Sequence, residues 1–254
     1  LLGGWLAAFL LAPLLGLVFV SGSDFGQGLA HPLVWPALKL SLCTTLVSLL
    51  LTVTLGTPLA WLLAQSKGRL VRTLGTLLEL PIVIPPAVAG VALLLAFGRR
   101  GFLSGTLYPE SWSVTFTTSA VVMAELFVSA PFFVQAATSA FRRIDARLLV
   151  VARTLGARPL RVFFHIAVPL AAPGLVAGAA MSWARALGEF GATLMFAGNL
   201  QGETQTLPLA IYTALESDLR AARALSIVLV VVAFALLVGA KLALRSADHE
   251  EAPS

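Results

Sequence analysis

Between Pro36 and Ala64 the chain reads PALKLSLCTTLVSLLLTVTLGTPLAWLLA, and Lys39 is its only charge. A helix needs roughly 20 mostly apolar residues to cross the hydrocarbon core of a bilayer. This run is longer than that, so it reads as a transmembrane helix that tilts or extends past the lipid. Five further apolar blocks accompany it: Trp5–Val20, Leu74–Phe97, Val114–Ala140, Leu170–Ala197 and Ala224–Leu244. Composition points the same way. Of 254 residues, 58% are hydrophobic and 11% charged, where a soluble domain carries about 25% charged residues. The expectation is an all-α membrane protein of about six transmembrane helices, forming one domain over residues 1–254. Leu1–Val20 could pass for the apolar part of a signal peptide, but no basic region precedes it; it is read as the first transmembrane helix.

The segments between blocks set the expected orientation. Lys67, Arg69 and Arg72 follow the second block. Arg142, Arg143, Arg147, Arg153, Arg158 and Arg161 follow the fourth, and Lys241 and Arg245 close the sixth. The opposite segments hold Arg99, Arg100, Arg220 and Arg223. Eleven basic residues against four place the first set, and both termini, in the cytoplasm by the positive-inside rule. The net charge of +5 is accounted for by this bias and carries no nucleic-acid signal. The short acidic tail Ser246–Ser254 reads as a disordered end.

One basic segment differs from an ordinary loop. From Ile144 to Pro169 the chain reads IDARLLVVARTLGARPLRVFFHIAVP. Leu148, Val151, Ala152 and Leu155 recur at helical spacing, with Arg147 and Arg153 off that face. Gly156 suits a helix C-terminus, and Pro159 suits the first turn of a second helix. Val162, Phe163 and Ile166 give that helix an apolar side, and Pro169 marks the return to the membrane. The pattern is a helix–Gly-turn–helix with an apolar ridge rimmed by arginines. Two readings stay open on these residues alone. It is an amphipathic hairpin on the lipid surface, or a knob inserted into a partner protein.

This segment resembles the cytoplasmic motif of membrane subunits of ATP-binding-cassette importers: E-A-A, three residues, G, nine residues, I-x-L-P. Val150, Val151 and Ala152 align with E-A-A, Gly156 with the glycine, and Ile166 and Pro169 with the I and P. Val150, Val151 and Val168 depart from the Glu, Ala and Leu of the motif. Other runs are similar to the molybdate and sulfate branch of that family. They are LPIVIPP at Leu80–Pro86, GRRGF at Gly98–Phe102, ARALGEFGAT at Ala184–Thr193, Gly198-Asn199, GETQTLP at Gly202–Pro208, and Ile211-Tyr212. The likeness runs from about Leu33 to Arg245 and is nearest to molybdate permeases. It implies the architecture of a type I importer permease in a bacterial inner membrane. It also implies a pore built from two copies of this chain, two ATPase subunits carrying ATP and Mg, and an extracytoplasmic oxyanion-binding protein. The loop around Val150–Pro169, Arg158 included, would dock into the ATPase and transmit its closure.

Pro81, Pro85 and Pro86 remove backbone donors from the third block and should kink or interrupt it. Such breaks persist in a membrane where protein or a water-filled cavity satisfies the freed groups, so this block is a pathway candidate. Arg185 and Glu189 stand four residues apart in the fifth block, so they are expected to share one helix face. An ionisable residue there costs about 2.5–3.5 kcal/mol on insertion scales, and pairing offsets some of that. The pair either orients its helix or forms a polar wall. With Gly188, Gly191 and Thr193 beside it, the expectation is a gate between two copies. Glu125 in the fourth block and Glu79 before Pro81 are expected to meet polar neighbours or the interface. Arg99 and Arg100 are expected at the outer mouth, as solvated charges or as an anion funnel.

Other functions find no support in these residues. No G-x-x-x-x-G-K-[ST] phosphate loop occurs, so ATP hydrolysis belongs to a separate chain. Cys43 stands alone, His31, His165 and His249 are scattered, and no metal set is suggested. No nucleophile–base pair shares a face, so the chain is not read as an enzyme. The alternative is a stand-alone ion-coupled transporter, which calls for coupling acids and often internal repeats. Arg185 and Glu189 are the only deep pair, and repeats are not evident. Molybdate, tungstate and sulfate are not separated by anything in the chain.

Overall fold

The computed structural model describes the backbone of residues 2–21, 25–66, 68–103 and 113–250. Lys67 and residues 251–254, the last part of the tail, lie outside the described residues. The helices are α1 (Leu2–Ser21), α2 (Phe25–Leu29), α3 (Val34–Gln65), α4 (Arg69–Leu78), α5 (Leu80–Val83) and α6 (Pro86–Phe97). They continue with α7 (Thr118–Arg142), α8 (Ala146–Thr154), α9 (Pro159–Val162), one π-helical turn (Phe163–Ala167), α10 (Val168–Leu187), α11 (Gly191–Ala197), α12 (Leu207–Ser217) and α13 (Leu219–Glu250).

Four described helices are long and apolar enough to cross a membrane: Val34–Gln65, Thr118–Arg142, Pro159–Leu187 and Leu219–Leu242. A fifth crossing exists if Arg69–Val83 and Pro86–Phe97 count as one span, bent by 117° between them. The first block is helical as α1, though its described apolar part, Gly3–Leu17, is short for a span. The interruption of the third block falls where the prolines place it. Ile84 and Pro85 are extended, with ψ 141° and 137°, and the chain restarts as a helix at Pro86. Helix α13 continues through residues 246–250, where a disordered end was expected.

The core forms around α3, α7 and α10. Helix α3 turns one stripe inward: Ser41, Thr44, Thr45, Ser48, Thr52, Gly56, Ala60 and Leu63 are all buried. Small residues at such spacing let helix backbones approach closely in a membrane, where lipid removes the hydrophobic drive for helix association. Thr44 hydrogen-bonds Glu125 of α7 and Gly56 meets Phe133, so α3 and α7 run parallel. Helix α10 runs antiparallel to both. A Cβ on Gly174 would stand 2.4 Å from the Cβ of Ala140, and one on Gly178 would stand 2.9 Å from that of Ala136. Glycine at these two positions is what permits the α7–α10 contact.

Three apolar clusters mark the two ends. Ala60, Leu63, Phe141, Phe163 and Ala167 pack at the end that carries the arginine-rich segment. At the other end Ala89, Leu93, Ala120, Ala192 and Phe196 join α6, α7 and α11, while Val34, Leu207 and Leu225 join α3, α12 and α13.

Candidate coupling surface and translocation path

The Ile144–Pro169 segment folds as its sequence implies, through contacts local to each turn. The Asp145 carboxylate accepts the Arg147 N–H at 2.8 Å and starts α8, as a side-chain N-cap does. Helix α8 ends on Gly156 at φ +85°. The Gly156 N–H donates to the Arg153 carbonyl and the Ala157 N–H to the Ala152 carbonyl, both at 3.0 Å. This pair of bonds is the Schellman arrangement, which favours glycine at its left-handed position. Arg158 is the extended residue before α9, and Pro159 takes the first helical position.

The exposed ridge is not the one expected in every detail. Leu148, Val150, Val151, Leu155, Leu160 and Phe164 project outward, with Leu155 83% exposed. Ala152 and Ile166 are half-buried, while Arg158 and Pro169 are exposed. Val162 and Phe163 instead turn into the bundle and are buried. The second helix is apolar on two sides, and the side facing outward is carried by Leu160 and Phe164. Phe163 meets Trp61 of α3 at 5.7 Å between ring centroids, Trp61 meets Phe141 of α7 at 5.3 Å, and Phe164 stacks edge-on against Phe163 at 4.8 Å. These rings tie the segment to the ends of α3 and α7. Sequence reasoning named neither Trp61 nor Phe141; their signal was only an aromatic residue near each block's basic end.

Pro169 does not interrupt the helix: residues Pro159–Leu187 form one helix of 29 residues. A proline inside an α-helix pushes its ring against the carbonyl four residues back. Here the Val168 N–H reaches the Phe163 carbonyl, and the resulting π turn widens the helix ahead of Pro169. The second helix of this segment and α10 are therefore continuous.

That helix ends at Gly188. Arg185 Nη2 lies 2.7 Å from Glu189 Oε2, with Arg185 part-exposed and Glu189 buried. The two do not share one continuous helix, however. Glu189 sits in a break between α10 and α11, and its Oε1 accepts the Ala192 N–H at 2.8 Å. One carboxylate thus closes α10 and opens α11. Gly191 abuts the other break: a Cβ there would stand 2.9 Å from the Cβ of Pro86. Helices α6 and α11, which follow the two breaks, consequently lie against one another. Thr193 is fully buried beside them. Pro81 begins α5 on the near side of the bend, and Arg99 and Arg100 are exposed in the turn after α6.

A polar seam runs through the core, and in it Glu125 meets the polar neighbour expected of it. Glu125, 2% exposed, accepts from Thr44 Oγ1 at 2.8 Å and is within electrostatic range of Glu189. Trp183 Nε1 donates to Thr45 Oγ1 at 3.0 Å, Ser182 Oγ to the Ser129 carbonyl at 3.0 Å, and the Leu207 N–H to Ser41 Oγ at 2.7 Å. The periodic Ser/Thr positions of α3 were its available signal. At the far end, Asn199 and Gln205 both donate side-chain amides to Thr213 Oγ1, at 2.9 and 3.1 Å. Gln205 of the GETQTLP run, with Asn199, thus ties the chain before α12 to the second turn of that helix.

Known proteins share this arrangement. Over 232 residues the chain is 47% identical to the molybdenum transport system permease protein ModB of Mycobacterium tuberculosis, covering 91% of this chain and 88% of that one. It is 41% identical to ModB of Escherichia coli over 72% of this chain and 80% of that one. A probable transport system permease protein, NifC of Clostridium pasteurianum, is 36% identical over 94% and 84%. Two solved structures share the fold at 20% identity. One is a bacterial ABC transporter involved in import of the acidic polysaccharide alginate, with TM-score 0.75 over 95% of this chain and 91% of that one. The other is the inward-facing MetNI methionine ABC transporter, with TM-score 0.68 over 85% and 96%. The family model for the inner membrane component of binding-protein-dependent transport systems matches residues 56–245, from the middle of α3 to near the end of α13, and the chain belongs to that family.

Proposed function

We propose that this chain is the permease subunit of an ATP-driven importer that carries molybdate, or a related tetrahedral oxyanion, into the cytoplasm. Two copies form the pore. Two ATPase subunits, which carry ATP and Mg, dock on the Leu148–Phe164 ridge. An extracytoplasmic binding protein delivers the anion, and both termini face the cytoplasm. The supporting observation is mechanical. An exposed apolar ridge, held at Gly156, continues without a joint along Pro159–Leu187 to the break at Gly188, beside the bend at Pro85. Closure of the ATPases moves the ridge. The single helix carries that displacement to the place where α6 and α11 meet, and the path opens alternately to each side. Arg185, Gly188, Glu189, Gly191 and Thr193, with Pro81, Pro85 and Pro86, form the gate region. Arg99 and Arg100 sit at the outer mouth. The chain itself does no covalent chemistry. The 47% identity to a molybdenum permease supports molybdate as cargo.

Proteoliposomes holding this chain, its ATPase and its binding protein provide the test. Molybdate uptake should require both ATP and the binding protein. Gly156→Pro should abolish co-purification of the ATPase. Uptake by the purified chain alone, without ATP, would overturn the proposal. Competition by unlabelled tungstate and sulfate ranks the cargoes.

A further inference from the structure

Helix α11, which carries part of the proposed gate, is held at both ends. Glu189 binds its first turn. Its last turn runs into Gly198, at φ +75° and ψ −157°, and there the ring of Phe116 lies against the backbone. A Cβ on Gly198 would stand 2.9 Å from Phe116 Cδ1 and 3.2 Å from Cε1. Two residues on, Thr118 Oγ1 donates to the Glu203 carbonyl at 2.9 Å. Together these contacts clasp the start of α7 to the loop between α11 and α12. The loop is fixed on its other side. The Leu200 carbonyl accepts the N–H groups of Glu203, Thr204 and Gln205, and Thr204 Oγ1 accepts the Leu200 N–H at 2.9 Å. The Leu207 N–H then ties the chain to Ser41 of α3. Phe116 itself is strained. Among the described residues it is the one non-glycine with positive φ, at +61°. There the Cβ of an L-residue crowds the following carbonyl, and a bulky side chain is an outlier. Such a backbone persists only where its surroundings impose it. Burial does not impose it, because Phe116 is 54% exposed. The seat on Gly198 and the Thr118 bond do. The closed clasp therefore carries strain that opening relieves, which leaves it shut but near balance.

We infer that Phe116 and Thr118 form a sprung catch on the far end of α11. Closed, the catch holds the outer side of the path shut. Released, it frees α11 from α7 while Phe116 relaxes to an ordinary backbone. The inference rests on the importer reading for the catch's place in the cycle and for which end is outer. The experiment uses the permease–ATPase complex in nanodiscs, without binding protein. Spin labels on Ser119→Cys and Gln201→Cys, both exposed positions, in a Cys43→Ser background, report by dipolar broadening whether the clasp is closed. Phe116→Ala removes the ring and keeps a strained Cβ; Thr118→Val removes the hydrogen bond. Each should shift the ratio of closed to open about two- to tenfold toward open. Phe116→Gly removes the ring and the strain together, so it should open the clasp less than Phe116→Ala. A ring that only fills space predicts the reverse order, because glycine fills less. Hydrolysis of ATP by the same complexes should rise in step with opening. Spectra that do not change in Phe116→Ala and Thr118→Val, an equal or larger opening in Phe116→Gly, or opening without a rise in hydrolysis each overturn the catch. Thr118→Val, exposed and nearly isosteric, decides the matter if the Phe116 variants fail to assemble. The spectra need no cargo. A wild type that takes up no molybdate with ATP and binding protein therefore sinks the importer reading for that cargo, and the spectra still decide the catch.

Discussion

Glu189 accepts the Ala192 N–H in the first turn of α11 through one oxygen and meets Arg185 through the other. Removing one partner of a buried pair costs about 3–5 kcal/mol, and because Arg185 is part-exposed the lower end applies. Glu189→Ala should therefore lower the melting temperature of the detergent-purified complex clearly. Glu189→Gln keeps a carbonyl acceptor for Ala192 and should lower it less. Equal losses would mean that the ion pair alone matters. Asp218, between α12 and α13 and outside the spans, gives a pH-dependent counterpart. The Arg220 N–H at 2.8 Å, helped by the Ala221 N–H and the Arg220 guanidinium, holds its carboxyl below the usual range. Its folded pKa is lower than its unfolded one, about 3.9. The stabilisation is therefore complete above that value and is lost as pH falls through the folded pKa. Below about pH 4 the wild-type melting temperature should fall more steeply than that of Asp218→Asn. Parallel curves would show that Asp218 does not cap α13.

Among the elements, α10 shows best how packing constrains a membrane helix. Gly178 faces Ala136 with no room for a side chain, whereas Gly239 on α13 has open space around it. Gly178→Leu should destabilise by about 1–3 kcal/mol through overpacking, while Gly239→Leu should leave the melting temperature near wild type; similar effects at both sites would contradict the assigned α7–α10 contact. Which elements were legible in the sequence follows from the range of the forces. The helical character of the apolar blocks, the Gly156 turn and the break at Pro85 depend on neighbours within one or two helical turns and show in the sequence; of the six expected spans, four described helices are long and apolar enough to cross a membrane, or five with the bent pair. That the helix runs through Pro169 was not legible, because a proline looks like a boundary; the π turn ahead of it lets the helix continue. Val162 and Phe163 were read as part of the second helix's apolar side, and their burial in the bundle was not legible because periodicity shows that a helix has an apolar face but not which neighbour covers it. The Arg185–Glu189 spacing assumed an unbroken helix, and nothing short-range announces a break that Glu189 itself bridges. The contact of Phe116 with Gly198 joins residues distant in sequence, so no local pattern could show it.

At the scale of the whole molecule, a displacement at the ridge matters only if the rest of the bundle moves with it. Pro159–Leu187 carries it lengthwise, but the parallel helices α3 and α7 must follow if the path is to change shape. Trp61, Phe141 and Phe163 join all three helices at the end that carries the proposed docking ridge, with centroid separations of 5.3, 5.7 and 6.3 Å. Aromatic pairs at such distances contribute about 0.5–1.5 kcal/mol beyond their buried area, and close packing transmits strain because it leaves little free volume. Trp61 is half-buried and off the ridge, so Trp61→Ala should leave the ATPase docked and hydrolysing. With the void between α3 and the coupling segment, part of each stroke would be absorbed locally. The ratio of ATP hydrolysed to molybdate imported in proteoliposomes should rise severalfold, and Trp61→Phe, which restores a ring, should return it toward wild type. A purely structural role predicts otherwise: hydrolysis and uptake would fall together as the complex loses stability, and their ratio would hold constant. The ratio therefore separates a force-carrying cluster from one that only fills space.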